Sequence, residues 1–266
     1  LNEQIALTWK DRGAFPGLGP ALEALGMRLG TSLALDLISS KIVALDNNPW
    51  PVVDSLLRGD LKPPISAYSA DLKAVRDTWI NLPEERRALL ILLSRFAMTS
   101  EQANRWFDPA QRARGIDVNV SDKDIMKNPY RMSEVDLGNW NDAPVSVGII
   151  DRGLFPESTI AARHPVPKPS CVESQNDSRR VRAAIVSVLR QAALDGDAIL
   201  SMTEALRKVA QLDLEQDCMI GVDWATTNKD SLEGVVEIVD MLTDKEKDNH
   251  VIALQLSELK IREDRL

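Results

Sequence analysis

The residues that carry most catalytic chemistry are scarce in this sequence: it has two cysteines, Cys171 and Cys218, and two histidines, His164 and His250, in 266 residues. The cysteines stand too far apart for a Cys-x-x-Cys motif and are too few for a disulfide framework, which fits isolated thiols in a reducing compartment. Neither histidine has a second histidine or a cysteine at ligand spacing, so the pattern offers no zinc site and no Ser-His-Asp triad. A Gly-x-x-x-x-Gly-Lys-Ser/Thr loop is missing, and with it the backbone cradle that wraps a nucleotide phosphate. The expectation is a chain that neither binds nor hydrolyses ATP and takes no cofactor. The longest mainly apolar run, Ala88 to Met98, is too short to span a bilayer and carries Arg95, which argues against a membrane partner. No basic leader with an apolar stretch opens the chain and Leu1 is not an initiator methionine, so the sequence reads as a piece of a longer cytoplasmic polypeptide. Tyrosines number two against six tryptophans. Of the tryptophans, Trp50, Trp79 and Trp106 fall on apolar helix faces and are expected in the core rather than as base-stacking platforms.

What is present is ordinary globular material, 44% hydrophobic and 27% charged, enough for one large domain or two to three small ones. The net charge of −8 would by itself disfavour nucleic acid, whose phosphates attract Lys and Arg. Its distribution alters that reading. Residues 213–266 hold 14 acidic against 6 basic side chains, while residues 1–212 are balanced at 26 of each. Six arginines gather between Arg86 and Arg114, and Arg179, Arg180, Arg182 and Arg190 form a second cluster. Local basic surfaces and plain solvated helix faces are both compatible with these clusters.

Periodicity predicts helices over Leu1–Lys10, Pro20–Leu29, Thr31–Ser40, Trp50–Leu57, Ser66–Asn81, Glu84–Phe96 and Glu101–Phe107. Lys62-Pro63-Pro64 reads as a linker. Val145–Ile150 is a short β-prone run, and His164 to Pro169 must be extended because repeated prolines remove backbone donors. Ser178–Leu194 is strongly amphipathic, Asp195-Gly196-Asp197 ends it, and Ser201 to Glu204 caps a helix running to Ala210. Ile199-Leu200, Cys218–Val222 and Val235–Val239 are expected strands, the last two separated by a polar turn over Thr226–Ser231, and a final helix is expected over Val251–Arg265.

The sharpest local signal is Phe15-Pro16-Gly17-Leu18-Gly19, followed by Leu22, Leu25 and Leu29. In a helix-hairpin-helix, such a turn lets backbone N–H groups meet a nucleic-acid phosphate without regard to base identity. Gly17 and Gly19 would permit the approach, with Arg12 and Arg28 flanking. A tight packing turn in a helical domain has the same signature.

Farther along, Asn128-Pro129-Tyr130-Arg131 follows a helical pair that includes Phe96 to Ala103. After it come Asp177-Ser178-Arg179-Arg180-Val181-Arg182-Ala183-Ala184, a hydrophobic stretch from Gly196 to Leu200 and the capped segment from Ser201 to Ala210. In order and spacing these resemble RecD-like ATP-dependent DNA helicases, related to the exodeoxyribonuclease V alpha chain, over roughly Arg95 to Leu212. The resemblance implies an accessory region preceding motor domains that would lie beyond Leu266. It implies DNA, single-stranded or forked, as one partner and the motor domains of the same parent chain as another. One feature departs from it: where the family has a Gly-Ile-Gly-Phe hairpin that contacts DNA backbone, this chain has Ser146 to Gly153. Asn128 to Arg131 can equally start a helix, with Tyr130 packing a hairpin.

The resulting expectation is a mainly α chain of helix-hairpin-helix-like hairpins with a small winged-helix-like α/β element. Residues 1–61 would form a helix-hairpin-helix-like domain and 62–134 a helical hairpin domain. Residues 135–176 would form an irregular Pro-rich connector, and 177–266 the winged-helix-like element with its acidic segment. Its expected function is sequence-independent engagement of DNA backbone through Arg12, Gly17, Gly19, Arg28, Arg179, Arg180 and Arg182. A protein–protein interaction scaffold without DNA contact is the competing reading, favoured by the acidic C-terminal part.

Overall fold

Apolar stripes at helical spacing organise the N-terminal two-thirds of the protein. The computed structural model describes residues 13–44, 47–115, 119–244 and 249–263, so the helix expected over Leu1–Lys10 and the expected contact residue Arg12 lie outside the described residues. Helices α1 (Leu18–Ala24) and α2 (Gly30–Ser39) pack on each other, with Ala21, Leu22, Leu33 and Leu37 inside. In α3 (Trp50–Arg58), Trp50, Val53, Leu56 and Leu57 form the buried stripe, and Pro51 in the first turn needs no donor there. A 3₁₀ turn at Ser66–Tyr68 leads into α4 (Ser69–Asn81), whose Leu72, Val75 and Trp79 face inward as their spacing predicts. The acids Glu84 and Glu85 open α5 (Glu84–Leu93), where they complement the helix dipole.

A capping box between Thr99 and Gln102 starts α6 (Ser100–Phe107), and α7 (Pro109–Gly115) follows directly. A second capping box, Ser121 with Asp124, starts α8 (Asp122–Lys127); then come α9 (Arg131–Val135), α10 (Val147–Leu154) and α11 (Ser158–Arg163). One continuous core runs from Leu18 to Ala183, so the expected divisions after residues 61 and 134 do not divide the packing. Trp50 and Trp79 stack in it with ring centroids 5.8 Å apart, and their indole N–H groups donate to Ser94 Oγ and Asp54 Oδ1 at 2.9 and 2.8 Å.

The C-terminal part has its own core. Helix α12 (Ser178–Leu194) is followed by β1 (Ile199–Ser201), α13 (Met202–Val209), α14 (Val222–Thr227), α15 (Lys229–Leu232), β2 (Val236–Asp244), β3 (Asn249–Leu256) and α16 (Ser257–Glu263). The strands form an antiparallel sheet in the order β1-β3-β2, with Leu254 opposite both Leu200 and Ile238. Val181, Ile185, Leu189, Met202, Leu206, Leu232 and Leu254 fill the space between helices and sheet. The chain is thus mainly helical with a small three-stranded sheet.

Five expectations are corrected. The β-prone run Val145–Ile150 lies largely in α10, because Ser146 caps the helix through the Ile149 N–H and Val147, Ile150 and Leu154 share its buried face. Residues 135–176 are not an irregular connector: they hold α10 and α11 and feed Val145, Val147, Ile150 and Leu154 into the first core. No strand forms over Cys218–Val222, and Thr226–Ser231 is helical at both ends. The helix expected from Val251 begins only at Ser257, since the preceding residues are the central strand β3, with Ala253, Leu254, Gln255 and Leu256 all buried. A stretch of strand buried on both faces, as Ala253 to Leu256 is, shows no alternation, which is why its sequence period misled.

Candidate functional site

The glycine hairpin is a packing joint. Gly17 donates its N–H to the Ser94 carbonyl at 2.9 Å, and a Cβ at this position would sit 2.0 Å from the Phe96 carbonyl oxygen. A Cβ on Gly19 would come within 2.6 Å of Thr31 Cα. Both glycines are buried, so the close approach they permit is of the chain to itself. Beside them Phe15 meets His164 edge-on at 5.6 Å, and Arg95 lies 5.2 Å from the Phe15 ring centroid. Arg95 Nη2 donates to the carbonyls of His164 and Pro165 at 2.7 and 3.0 Å, and burial pulls its pKa down to about 10. The hairpin, the end of α5 and the Pro-rich segment are therefore clamped together. Arg28 stands apart: Asp71 accepts from its backbone N–H at 3.0 Å and its Nε at 3.1 Å, while the guanidinium side chain stays 83% exposed.

The arginine cluster at the start of α12 faces inward. Arg179 binds Asp177 and donates to the carbonyls of Lys127, Pro169 and Cys171 at 2.8, 3.1 and 2.6 Å, tying the end of α8 and the Pro-rich segment to the helix start. Burial works to raise the Asp177 carboxyl, but hydrogen bonds from Arg179 outweigh it and hold the group below the usual carboxylate range. Arg180 and Asp151 are fully buried and joined by two hydrogen bonds, and Arg180 also donates to the carbonyls of Gln175, Gln216 and Asp217. Tyr130 donates its hydroxyl to the same Asp151 at 2.6 Å; burial foremost, with the Asp151 charge, pushes its pKa well above the ordinary tyrosine value. Arg182 holds Glu134 at 2.8 and 2.9 Å and reaches the Ser231 carbonyl. The phosphate contact expected of Arg180 is thereby replaced by a structural one. Arg179 and Arg182 work alike, as ties between α12 and its neighbours.

A different arrangement occupies the loop between α9 and α10. Asp136, almost wholly buried, accepts from Arg105 Nη2 at 2.9 Å, Trp106 Nε1 at 3.2 Å and the N–H groups of Gly138 and Val145, each at 3.0 Å. Asp142 accepts from Thr99 Oγ1 at 2.9 Å and Arg105 Nη1 at 3.2 Å, and its carbonyl takes the Asn139 N–H at 2.9 Å. Gly138 turns with φ +68°, a backbone conformation that favours glycine. At the apex of this pinned loop Trp140 is completely exposed and Leu137 is 59% exposed. Sequence reasoning placed three tryptophans in the core and passed over Trp140, although Gly138-Asn139-Trp140-Asn141 is a turn composition around a large aromatic.

Elsewhere, an open cleft of about 400 Å³ is lined by Glu85, Pro109, Arg112, Val120, Asp122 and Lys123, but Arg112 and Asp122 in its wall bond each other at 2.8 Å. Among the described residues no group of three His, Cys, Asp or Glu side chains could hold a metal ion, and no helix is long and apolar enough to cross a membrane. Compared with protein-family models, curated proteins and solved structures, the chain matches none.

Proposed function

We propose that this chain is a non-catalytic accessory region of a larger ATP-dependent DNA helicase of the RecD-like kind. In this reading it positions single-stranded or forked DNA, without sequence preference, for motor domains outside the 266 residues. The observation that carries the proposal is the order of the C-terminal elements: α12, β1, the Ser201-capped α13, the short helices α14 and α15, then the β2–β3 hairpin, with β1 paired to β3. In this reading that order is a winged-helix-like arrangement, with β2–β3 as the wing. It follows the Asn128–Arg131 and Asp177–Ala184 segments in the sequence order that the resemblance requires. The arginines of α12 serve this proposal as internal ties that fix the winged element on the helical part. Of the expected contact residues, Arg28 keeps an exposed cationic side chain suited to a phosphate.

A specific observation favours the scaffold reading as well. In a helix-turn-helix arrangement the second helix is the one that lies in the DNA major groove, and in the reading above its place is taken by the short helices before the hairpin. Here Asp223, Asp230, Glu233 and Asp240 are exposed on or after those helices, beside a single lysine on the helices, Lys229. Such a surface repels phosphate and suits a basic protein partner.

A gel-shift series with single-stranded, forked and duplex DNA over 50–200 mM salt discriminates the readings, since phosphate contacts make log K fall linearly with log salt. Binding to single-stranded or forked DNA with such a slope, indifferent to sequence, is the expected result. No shift on any DNA at the lowest salt would sink the DNA reading and leave the scaffold.

A further inference from the structure

We infer that the open edge of strand β2 docks one extended, basic segment of a protein partner, added to the sheet as a further strand; the inference rests on the protein-partner reading above and gives it a site. At one edge of the sheet lies β1, three residues long and running straight into α13. So short an edge templates little. At the other edge β2 runs nine residues, and from Val236 to Asp244 it carries no proline, glycine or lysine of the kind that guards exposed edges. The register shows which of its backbone groups face outward. The Ser257 N–H donates to the Val235 carbonyl at 3.0 Å, and the same register sets Glu237 opposite Gln255 and Val239 opposite Ala253. Bonded pairs alternate with unbonded ones in an antiparallel ladder. Glu237, Val239 and Met241 therefore turn their N–H and C=O groups to β3, while Ile238 and Asp240 turn theirs to the open side. Among the described residues nothing bonds those outward groups. Val236 is buried, Ile238 half-buried and Asp240 exposed, so the accessible stretch begins after Val236.

Such an edge specifies the shape of its occupant, because N–H and C=O groups presented at every second residue are matched by another extended backbone. Charge specifies the rest. From Glu233 to Asp244 the chain has the acids Glu233, Glu237, Asp240 and Asp244 and no Lys or Arg, and β3 beside it has no Lys or Arg either. The Asp240 side chain is 66% exposed beside His250. Lysines or arginines on an incoming strand gain from these acids as cross-strand partners, whereas a nucleic-acid phosphate is repelled. A second copy of the chain pairing through the same edge would align the same acids with one another, a like-charge arrangement that disfavours it. The occupant left is a basic strand from a different protein.

The test titrates the 266-residue chain with a synthetic peptide of about eight residues, lysine alternating with valine, at low salt, and follows backbone amide hydrogen exchange residue by residue. In the free chain the amides of Ile238 and Asp240 are expected to exchange fast, and those of Glu237 and Val239, bonded to β3, slowly. Saturating peptide should slow Ile238 and Asp240 by about tenfold or more and leave their neighbours as they were. The same peptide N-methylated at alternate amides, which cannot complete a ladder, should not bind. Ile238→Pro removes an outward N–H at an edge position where proline is tolerated and should abolish binding; Asp240→Lys should weaken it about 3- to 10-fold without lowering the melting temperature. Peptide binding that leaves Ile238 and Asp240 exchanging fast, or that survives N-methylation, overturns strand addition while leaving the protein-partner reading intact. No binding up to about 1 mM peptide, a free energy of only about −4 kcal/mol, overturns both. Protection of Ile238 and Asp240 that rises with protein concentration alone makes the occupant a second copy and overturns the basic partner.

Discussion

Arg180 and Asp151 meet with both side chains wholly inside the protein, Nε to Oδ1 at 2.7 Å and Nη2 to Oδ2 at 3.0 Å. Tyr130 adds its hydroxyl to the same carboxylate. This joins the Asn128–Arg131 element, α10 and α12, so a single buried anion connects the segments on which the sequence resemblance rests.

Removing one partner of such a pair strands a buried charge. Arg180→Ala is expected to destabilise the chain by about 3–5 kcal/mol, with Asp151→Ala similar, whereas the double variant should cost clearly less than the sum. Urea unfolding of all three measures the coupling, and additive losses would show that the two side chains do not depend on each other. Tyr130→Phe keeps the ring in its packed position and removes only the hydroxyl, so a loss of about 1–3 kcal/mol is expected.

The hairpin offers a sharper reversal. From the sequence, bulkier residues at Gly17 and Gly19 should weaken DNA binding and spare the fold. The geometry predicts the opposite order of effects: Gly17→Ala drives a methyl against the backbone carbonyl of Phe96, which cannot swing aside as a side chain would. A loss of about 3 kcal/mol or more is expected, beyond ordinary overpacking. Gly221→Ala, where nothing lies within 4 Å of the added carbon, serves as the comparison and should stay within about 1 kcal/mol. Equal melting temperatures for the two variants would disprove the packing role of Gly17.

Acid should loosen the molecule through Asp122 and Asp177. Burial tends to raise both carboxyls, but hydrogen bonds from Arg112 and Arg86 to Asp122, and from Arg179 to Asp177, outweigh it and hold both below their usual values. A carboxylate depressed in the folded state adds stability that is present above its unfolded pKa of about 3.9 and is lost as pH falls through its folded value. Urea midpoints should therefore drop from pH 5 towards pH 2, and Asp122→Asn should lower the midpoint at pH 7 and flatten the acid limb. At the alkaline end the sign is opposite. Tyr130 is raised in the folded state, so its share of stability is present below about pH 10 and lost above it. A Tyr130→Phe chain with the same alkaline limb as wild type would refute that share.

Long amphipathic and capped helices were legible because each level of information agreed. Ser178–Leu194 matches α12 end to end, and the Ser201 cap appears where the residues place it. What misled was partnership. Arg180 in the sequence is a cation in a basic run; only the fold brings Asp151, 29 positions away, against it. Gly17 signals close approach but not what approaches, and the answer, Phe96, lies far along the chain. Strand β3 was hidden for another reason: its second half, Ala253 to Leu256, is buried on both faces, and burial without alternation does not distinguish strand from helix. Trp140 escaped because composition treats all tryptophans alike, while its exposure follows from the loop's internal bonds.

The acidic C-terminal surface makes a final, electrostatic prediction. From the sequence alone the natural test is to delete residues 213–266, yet that removes β2 and β3, leaving β1 without its ladder and Leu200, Leu206 and Val209 uncovered. The truncated chain is expected to aggregate, so the question has to be asked by charge alone. Asp223, Asp230 and Glu233 are exposed on or beside the helices that precede the hairpin, and changing them to Asn, Asn and Gln keeps size while removing three negative charges. A unit charge 10 Å from a phosphate costs about 0.4 kcal/mol in water before screening, and the Debye length is about 10 Å at 0.1 M salt. Together the three changes should tighten single-stranded DNA binding about three- to fivefold at 50 mM salt, the gain vanishing towards 1 M, where the screening length is about 3 Å. A gain that persists at high salt would mean the substitutions act through shape. No gain at low salt would place the bound strand beyond the reach of this surface, and the acids would then face a basic protein partner instead.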